Sequence, residues 1–369
     1  MKLTPLFSLR SWFRVAGWGI CAAAHAQVSV VDLGSPTANS VAYAVSNGQQ
    51  AGFDGTVATV WSGSAGSVVN LNPAGAFDSH ALATNGSQQG GFADFVGVNG
   101  NDHAALWSGT AASFVDLHPA GASSSIVTAL SVTQQGGSAR YAGVAHATLW
   151  SGTAASAVDL NPAGAAGSEV LALTAAQQGG YAAIGGVTHA ALWSGSAASF
   201  VDLHPAGASY SLVYSMTGAA QAGQMGVGAN SHAALWFGDA ASVVDLNPVG
   251  ATSSVVYATA GSLQAGAAQF GGYDHAGWWA GDAATFYDLQ PAITAAIGPS
   301  FMSSIIHGAE LVGSTLYLVG QAYDAGMADQ RAILITVSAV PEPAASALMI
   351  ALVVLGAMWL LRRKRKAVT

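Results

Sequence analysis

Five histidines recur at one position of a repeated motif, and they are the first residues of this sequence that suggest chemistry. Each begins a His-Ala-Ala-Leu-Trp segment or a close variant, and the closing tryptophans are 43 residues apart; the histidines are His103, His146, His189, His232 and His275. Histidine is the commonest metal ligand. Zinc ligands must lie within roughly 4 Å of one another, whereas equivalent positions of packed sheets are about 10 Å apart. The spacing therefore favours histidines that bond a neighbouring turn or repeat unit.

Residues for catalysis are few and scattered. Between Gln27 and Val340 there are two glutamates, Glu169 and Glu310, and no H-E-x-x-H, G-x-S-x-G or G-x-G-x-x-G motif. Nothing in the sequence selects a carboxylate pair of the glycosidase type. Such a pair could be assembled from Asp54, Asp94, Asp239, Asp274 or Asp324.

The charge of this segment excludes several classes of protein. It has two arginines, no lysine, no cysteine and 17 acidic residues, so its formal charge is 2 − 17 = −15. Without a cysteine there is no thiolate nucleophile or thiolate metal site. With two basic residues it cannot neutralise a phosphate backbone, which argues against nucleic acid as a partner.

The repeat unit predicts four short strands. Each Trp-bearing run is followed by Val-Asp-Leu, by an Asn-Pro or His-Pro turn, and then by two further runs joined by a Gly-rich hairpin. Glycine every few residues opposes a helix. A four-stranded unit of about 40–45 residues is typical of a β-propeller blade. A parallel β-solenoid is the alternative, although its coils are usually shorter.

The number of units favours a closed ring. The Trp-bearing strand occurs six times, beginning with a looser copy that ends at Trp61, and 331–336 resembles a seventh copy without a following Val-Asp-Leu. An unaccompanied Val-Asp-Leu-Gly stands at 31–34. We therefore predict an all-β fold in which residues 27–338 form a β-propeller of seven four-stranded blades closed by the N-terminal strand. Six and eight blades are the alternatives.

The repeated polar and aromatic residues have structural interpretations. Burying a tryptophan contributes up to ~5 kcal/mol, so we expect core tryptophans rather than sugar-stacking platforms. The aspartates of Val-Asp-Leu are expected to accept hydrogen bonds from turn N–H groups. The alternative, calcium binding, requires several converging oxygens. The turns that follow should face one end of the ring, where they could contact a ligand; their polar residues are Asn72, His118, Asn161, His204, Asn247 and Gln290.

Residues 1–26 have the pattern of a secretory signal peptide. Lys2, Arg10 and Arg14 precede an apolar run at 15–24, and an Ala-His-Ala sequence predicts cleavage between Ala26 and Gln27. A first transmembrane helix is the alternative interpretation. The pattern predicts export by the secretion machinery.

The C-terminal residues 339–369 form a second targeting segment. Pro341, Glu342 and Pro343 precede 18 apolar residues at 344–361 and a basic cluster at 362–366. Such a run is ~27 Å long as a helix and just spans a bilayer core of ~30 Å, with the basic cluster on the cytoplasmic side. The segment resembles the PEP-CTERM sorting tail. That resemblance implies a partner, the membrane peptidase exosortase, and a link to exopolysaccharide and biofilm in Gram-negative bacteria. A retained membrane anchor is the alternative.

The repeats are also similar to a family of bacterial extracellular repeats named for a His-Ala-Phe signature. The resemblance covers most of 28–337, but the third position here is Ala, Thr or Gly instead of Phe. It implies an architecture and no activity.

Together these features predict an exported protein that is transiently anchored in the inner membrane and then lies at the cell surface or outside the cell. The expected function is non-enzymatic binding or structure, with exopolysaccharide or surface proteins as partners. A propeller-type polysaccharide hydrolase or lyase is the alternative. No cofactor is expected, and calcium is the one ion whose binding stays an alternative.

Overall fold

A computed structural model describes residues 27–34, 39–95, 102–324 and 329–338. In this part of the chain, 28 strands form seven four-stranded antiparallel sheets arranged as the blades of a propeller. Strand β1 (Gln27–Asp32) belongs to the last blade, and six blades that are continuous in sequence follow it.

The strands of blades 1 to 3 run from the inner to the outer edge in chain order. Blade 1 consists of β2 (Ser40–Ser46), β3 (Gln49–Asp54), β4 (Val57–Trp61) and β5 (Val69–Asn70). Blade 2 consists of β6 (Ala76–Thr84), β7 (Gln89–Phe95), β8 (Asp102–Trp107) and β9 (Val115–Asp116). Blade 3 consists of β10 (Ser124–Leu130), β11 (Gln135–Tyr141), β12 (Val144–Trp150) and β13 (Val158–Asp159).

Blades 4 to 6 repeat this order, and blade 7 departs from it. Blade 4 consists of β14 (Ser168–Leu173), β15 (Gln178–Ile184), β16 (Val187–Trp193) and β17 (Val201–Asp202). Blade 5 consists of β18 (Ser211–Thr217), β19 (Ala220–Val227), β20 (Asn230–Trp236) and β21 (Val244–Asp245). Blade 6 consists of β22 (Ser254–Ala260), β23 (Leu263–Phe270), β24 (Tyr273–Trp279) and β25 (Tyr287–Asp288). Blade 7 consists of β26 (Phe301–Val312), β27 (Thr315–Asp324), β28 (Gln330–Ser338) and, outermost, β1.

Short helices connect some of these strands. A single 3-10 turn precedes the outer strand of blades 1 to 6, at Ala65–Ser67, Ala111–Ser113, Ala154–Ser156, Ala197–Ser199, Ala240–Ser242 and Ala283–Thr285. Helix α1 (Gln290–Ile297) joins blade 6 to blade 7. No helix in the described ranges is long and apolar enough to cross a bilayer. The predicted signal peptide 1–26 and membrane helix 344–361 lie outside those ranges.

The ring closes as the repeat count predicts. Strand β1 pairs with β28 over its whole length, from Gln27 opposite Ser338 to Asp32 opposite Ile333. The inner strand β26 packs against both β22 and β2, so every blade has two neighbours. The prediction of seven four-stranded blades closed by the N-terminal strand is therefore confirmed.

The core lies between the blades, and tryptophan fills it. The six repeated tryptophans are fully buried, each packed against small and branched side chains of the preceding blade. Trp107 of blade 2, for example, lies with Ala51, Val60 and Leu71 of blade 1. The expectation that the tryptophans are core residues is confirmed; they are Trp61, Trp107, Trp150, Trp193, Trp236 and Trp279.

Every inner strand contains a β-bulge opposite a glycine. The bulge residue is skipped in the pairing register of the inner and second strands; these residues are Tyr43, Leu82, Thr128, Leu171, Tyr214, Tyr257 and His307. A β-carbon on the facing glycine would lie 1.8–2.0 Å from an inner-strand carbonyl oxygen. The glycines are Gly52, Gly91, Gly137, Gly180, Gly223, Gly266 and Gly320. One glycine per blade is thus required for the inner strand to bulge at this position.

We predict that Gly223→Ala destabilises the propeller by about 1–3 kcal/mol, because its β-carbon would lie 2.0 Å from the carbonyl oxygen of Leu212. The control is Gly66→Ala in the 3-10 turn of blade 1, where nothing lies within 4 Å and where Ala112 of blade 2 occupies the equivalent position. Urea unfolding should give an unchanged or higher midpoint for the control. Equal midpoints for both variants would contradict the close approach.

Candidate functional site

The repeated histidines bond aspartates of their own blade. In blades 2 to 6 the histidine Nδ1 lies 2.7–2.9 Å from Oδ2 of the Val-Asp-Leu aspartate on the adjacent outer strand. The predicted partner, a neighbouring turn or repeat, was therefore wrong. The other oxygen of each aspartate accepts the backbone N–H two residues further on, at 2.8 Å, as predicted. The pairs are His103–Asp116, His146–Asp159, His189–Asp202, His232–Asp245 and His275–Asp288.

The remaining two blades depart from this pair: blade 7 replaces the histidine alone, and blade 1 replaces both residues. In blade 7, Arg331 occupies the histidine position and donates from Nη1 to Oδ2 of Asp32 at 2.8 Å. In blade 1, Val57 and Asn70 stand at the two positions. The pair is thus a structural link between the two outer strands. Within the described ranges no three His, Cys, Asp or Glu side chains are grouped as a metal ion would require.

The predicted ligand-facing turn residues join adjacent blades. In blade 3, Asn161 Oδ1 accepts from Ser168 Oγ, which begins the inner strand of blade 4, at 2.6 Å. Ser168 Oγ in turn accepts the backbone N–H of Ala147, back in blade 3, at 3.0 Å. We call this arrangement the serine latch. Six of these latches contain a polar turn residue: Asn72, His118, Asn161, His204, Asn247 and Gln290.

The polar side-chain atoms of the turn residues, which a ligand would have to contact, form hydrogen bonds within the protein. Asn161 Nδ2 donates to the carbonyl of Ala165, and His118 Nε2 lies 3.1 Å from the carbonyl of Ala122. The turn residues therefore have an observed role between blades, and contact with a ligand stays a prediction. At the seventh junction Gly34 follows Asp32 and Leu33, and Ser40 Oγ accepts the N–H of Ala332 at 3.0 Å.

Two latches contain stacked imidazoles. The ring of His118 lies 4.0 Å from that of His103, and His204 lies 4.1 Å from His189, with the planes within 9° and 11° of parallel. Burial lowers the pKa of His118, and the neighbouring charge of His103 lowers it further. The pKa of His204 is lowered in the same way by burial and by His189.

Singular polar residues meet in a cavity of about 200 Å³ formed by blades 2, 3 and 4, where the inner strands of blades 3 and 4 begin. We call it cavity 1. Tyr181 donates from its hydroxyl to Oε2 of Glu169 at 3.1 Å, and Ser138 Oγ lies 3.4 Å from Oε1. Arg140 lies exposed at the rim and donates from Nη1 to the carbonyl of Gly143 at 2.6 Å. Asp102 completes the charged lining.

Electrostatics make cavity 1 a site for hydrogen bonding. Burial raises the pKa of Glu169, while the hydroxyls of Tyr181 and Ser138 and the charge of Arg140 act in the opposite direction. Burial, followed by Glu169, raises the pKa of Tyr181 to about 12. The phenol therefore stays neutral near pH 7 and acts as a donor, not as a nucleophile.

A second cavity of about 170 Å³ is formed by blades 5, 6 and 7, where the inner strand of blade 6 begins. We call it cavity 2. Its lining includes Asp274, Gln269, Ser231 and Tyr257. Burial raises the pKa of Asp274, and a hydrogen bond from Gln269 acts against this shift. Asp274 belongs to the aspartates named from the sequence, whereas Tyr257 is the bulge residue of its inner strand and was not foreseen.

Aromatic bulge residues line one side of the channel. The rings of Tyr214, Tyr257, His307 and Tyr43, from four consecutive blades, are 5.0–5.3 Å apart. Burial lowers the pKa of His307 to about 4, so this imidazole is neutral. The only sequence signal for these residues is that they differ between otherwise similar repeats.

Three aspartates form a row across blade 2. Asp78 is opposite Asp94, and Asp94 is opposite Asp102, on adjacent strands. Burial raises the pKa of Asp102, and the charges of Asp94 and Asp78 raise it further. Of the aspartates considered for a catalytic pair, Asp94 is thus brought beside other carboxylates. Asp239 instead caps a 3-10 turn by accepting the N–H of Ser242, while Asp54 and Asp324 end the second strands of blades 1 and 7.

The stacked histidines predict an acid-sensitive stability. Because folding lowers the pKa of His118 and His204 below the usual ~6.5, the unfolded chain binds protons more readily, and stability should fall as pH drops below about 6.5. We expect the double variant His118→Asn/His204→Asn, which copies Asn161, to match the wild type at pH 7.5. At pH 5 its thermal unfolding should occur a few degrees higher. An equal loss of stability in both proteins would contradict this role.

No family model matches the sequence, and no curated protein matches it. Among solved structures, the fold is similar to TolB from Acinetobacter baumannii at 11% identity and a TM-score of 0.43, over 67% of this chain and 62% of TolB. A Trypanosoma rangeli sialidase in complex with the inhibitor DANA matches at 10% identity and 0.37, over 88% and 59%. The tricorn protease matches at 7% and 0.27, over 80% and 35%. The chain spans less than two thirds of each of these structures, and scores this low carry no argument about function.

Proposed function

We propose that this protein is an exported, non-enzymatic propeller that binds extracellular polysaccharide beside its central channel. One observation carries the proposal. The repeated histidines, aspartates, serines and turn residues are hydrogen-bonded within the scaffold, whereas polar residues that differ between repeats line cavities 1 and 2. Binding residues are commonly those that a rigid scaffold positions, and here the scaffold is the repeated part of each blade. The hydroxyl of Tyr181 stays neutral, so it serves cavity 1 as a hydrogen-bond donor.

The chemistry of the linings supports a hydroxylated ligand. Cavity 1 contains a carboxylate, a phenol and serine hydroxyls, and cavity 2 contains a carboxylate, an amide and a tyrosine ring. Sugars need this mixture of hydrogen-bond donors, acceptors and apolar faces. The formal charge of −15 between Gln27 and Val340 makes anionic polymers poor partners.

The targeting segments support an extracellular location. Strand β1 begins at Gln27, the residue predicted to follow signal-peptide cleavage, and β28 ends at Ser338, before Pro341. Removing either segment would leave every strand of the ring in place. We infer that the secretion machinery exports the chain and that an exosortase-type peptidase processes its tail at the inner membrane of a Gram-negative cell.

A polysaccharide hydrolase or lyase is the second candidate. Residues directly opposite on adjacent strands have β-carbons about 4.5–5.5 Å apart, and retaining glycosidases place their carboxyl groups about 5–5.5 Å apart. Asp94 and Asp102 are directly opposite each other on adjacent strands, and the raised pKa of Asp102 suits a general acid. A change in polymer length separates this candidate from simple binding.

We predict saturable co-sedimentation of residues 27–338, which contain every strand of the ring, with the exopolysaccharide of the producing organism and no change in polymer length. Tyr181→Phe should weaken binding roughly two- to tenfold, because it removes one hydrogen-bonding hydroxyl from cavity 1. The control is Val132→Ser, a change of an exposed residue in a hairpin turn. Measurements with and without calcium test whether this ion takes part in binding. Polymer shortening that requires Asp94 would favour the enzyme, and an absence of binding would refute the proposal.

We also predict that substituting Pro341, Glu342 and Pro343 by alanine keeps the protein in the membrane fraction, because a sorting peptidase would no longer recognise the tail. The wild type should instead be recovered at the cell surface or in the medium as a shortened chain. The control is Val368→Ala, a change in the same tail but outside both the motif and the basic cluster. If the triple variant were distributed and sized like the wild type, the tail would be a plain anchor.

A further inference from the structure

Cavities 1 and 2 are the same structural feature built twice. Each is formed by three consecutive blades, 2, 3 and 4 in the first and 5, 6 and 7 in the second. The start of the middle blade's inner strand lines both, with Ser124 and Ser125 in cavity 1 and Ser253 and Ser254 in cavity 2. Because the middle blades are three apart in a ring of seven, the two cavities lie on nearly opposite sides of the channel.

Each cavity contains carboxylate groups, but they come from different repeat positions. In cavity 1, Asp102 precedes a repeated histidine of blade 2, and Ser231 takes this place in cavity 2. In cavity 2, Asp274 precedes a repeated histidine of blade 6, and Ala145 takes this place in cavity 1. Each cavity therefore contains a carboxylate next to a repeated histidine, although Asp102 and Asp274 occupy different places in the two cavities.

Positive charge is scarce around both cavities. Arg331 is held by Asp32 and Asp329 at the closure of the ring, so Arg140 is the one basic side chain that lines either cavity. Arg140 is exposed, with its Nη1 on the carbonyl of its own hairpin. The equivalent position in cavity 2 is Gln269. Both cavities therefore suit a cation better than an anion.

The size of the cavities indicates what each can hold. At about 200 and 170 Å³, both are smaller than the ~300–1,000 Å³ of a typical small-molecule site. Each would take one sugar ring or its substituent, with Tyr181 or Tyr257 as the aromatic wall. Two small equivalent sites across one channel fit a ligand that repeats the same unit along its length.

We propose that cavities 1 and 2 are paired subsites for one polysaccharide chain whose sugars carry positively charged amino groups. This inference rests on the proposed function and adds the chemical class of the ligand. An ammonium group in cavity 1 would lie near Glu169 and Asp102, and one in cavity 2 near Asp274. The chain between them would cross the channel at the end of the ring where the inner strands of blades 3 and 6 begin.

Burial of the carboxyl groups strengthens this preference. Burial raises the pKa of Glu169 and of Asp274, which means that their charged forms lack full solvation. A cationic sugar would stabilise those charged forms. Binding should therefore strengthen as pH rises above the usual carboxyl pKa of about 4, because the raised pKa of both groups moves their ionisation to higher pH, and it should weaken with added salt.

The test uses the full chain in mild detergent and three hexasaccharides, with calorimetry as the readout. Glucosamine hexamer is the cationic probe, N-acetylglucosamine hexamer the neutral probe and galacturonic acid hexamer the anionic probe. We expect the glucosamine hexamer to bind at least tenfold more tightly than the other two. It should also bind much more tightly than glucosamine disaccharide, because only the longer chain reaches both cavities.

Variants of matched shape test each cavity. Glu169→Gln and Asp274→Asn should each weaken binding of the glucosamine hexamer roughly fivefold or more, since each removes one buried charge. Arg140→Gln, which copies Gln269, should strengthen it a few-fold because it removes the cation. Arg140 is exposed, so this variant tests the idea even if substitution of a buried carboxylate prevents folding, which thermal unfolding would report.

The outcomes separate this proposal from the proposed function. Equal or tighter binding of the neutral or anionic hexamer would overturn the choice of amino sugars, and weaker binding by Arg140→Gln would do the same. If the exopolysaccharide co-sediments but no hexamer binds, this inference fails and the proposed function stands. If neither the exopolysaccharide nor any hexamer binds, both fail.

Discussion

Each blade of this protein has two apolar faces, and only closure of the ring gives every blade two neighbours to bury them. The closing contact is the pairing of β1 with β28, which joins residues 311 positions apart, as in the bond between Ser338 Oγ and the carbonyl of Gln27. Arg331 strengthens this junction through Asp32 and Asp329. The tryptophan layers, the serine latches and the shape of the channel all depend on this closure.

The repeats divide the residues into two groups. Repeated polar side chains satisfy one another and the backbone: the aspartate bonds both a histidine and a turn N–H, and the serine joins a turn residue to the preceding blade. Such pairing is expected because buried polar groups without partners reduce stability; the indole nitrogens of the six repeated tryptophans are the exception, since within the described part of the chain they are buried without a partner. The residues that line the two cavities vary between repeats, and they come from the inner, second and third strands of neighbouring blades. Singular chemistry is thus found where three blades meet.

The sequence predicted the architecture well because the period, the turn residues and the surplus Val-Asp-Leu are local signals. It also identified the buried tryptophans and the aspartates that accept turn N–H groups. It gave the repeated histidines the wrong partner, because adjacency of the third and outer strands within one blade is a tertiary fact. Cavity 1 was missed because Arg140 and Glu169 are 29 residues apart and meet only through packing of neighbouring blades. The bulges were missed because a bulge shifts which face a residue occupies, and only the facing glycine marks it.

Cavity 1 and the scaffold share a residue, which links the stability of the ring to the site. Ser125 lines cavity 1 and also forms the latch with His118, at 2.8 Å from its Nδ1. Neutral His118 accepts this hydroxyl proton, whereas a protonated ring would have to donate and would lie 4.0 Å from His103. Acid therefore alters the junction between blades 2 and 3 and the wall of cavity 1 together. The other stacked-histidine latch, through His204, joins blade 4 to blade 5 and so lies between the two cavities. The latches within cavity 2, by contrast, contain an asparagine and a glutamine, Asn247 and Gln290.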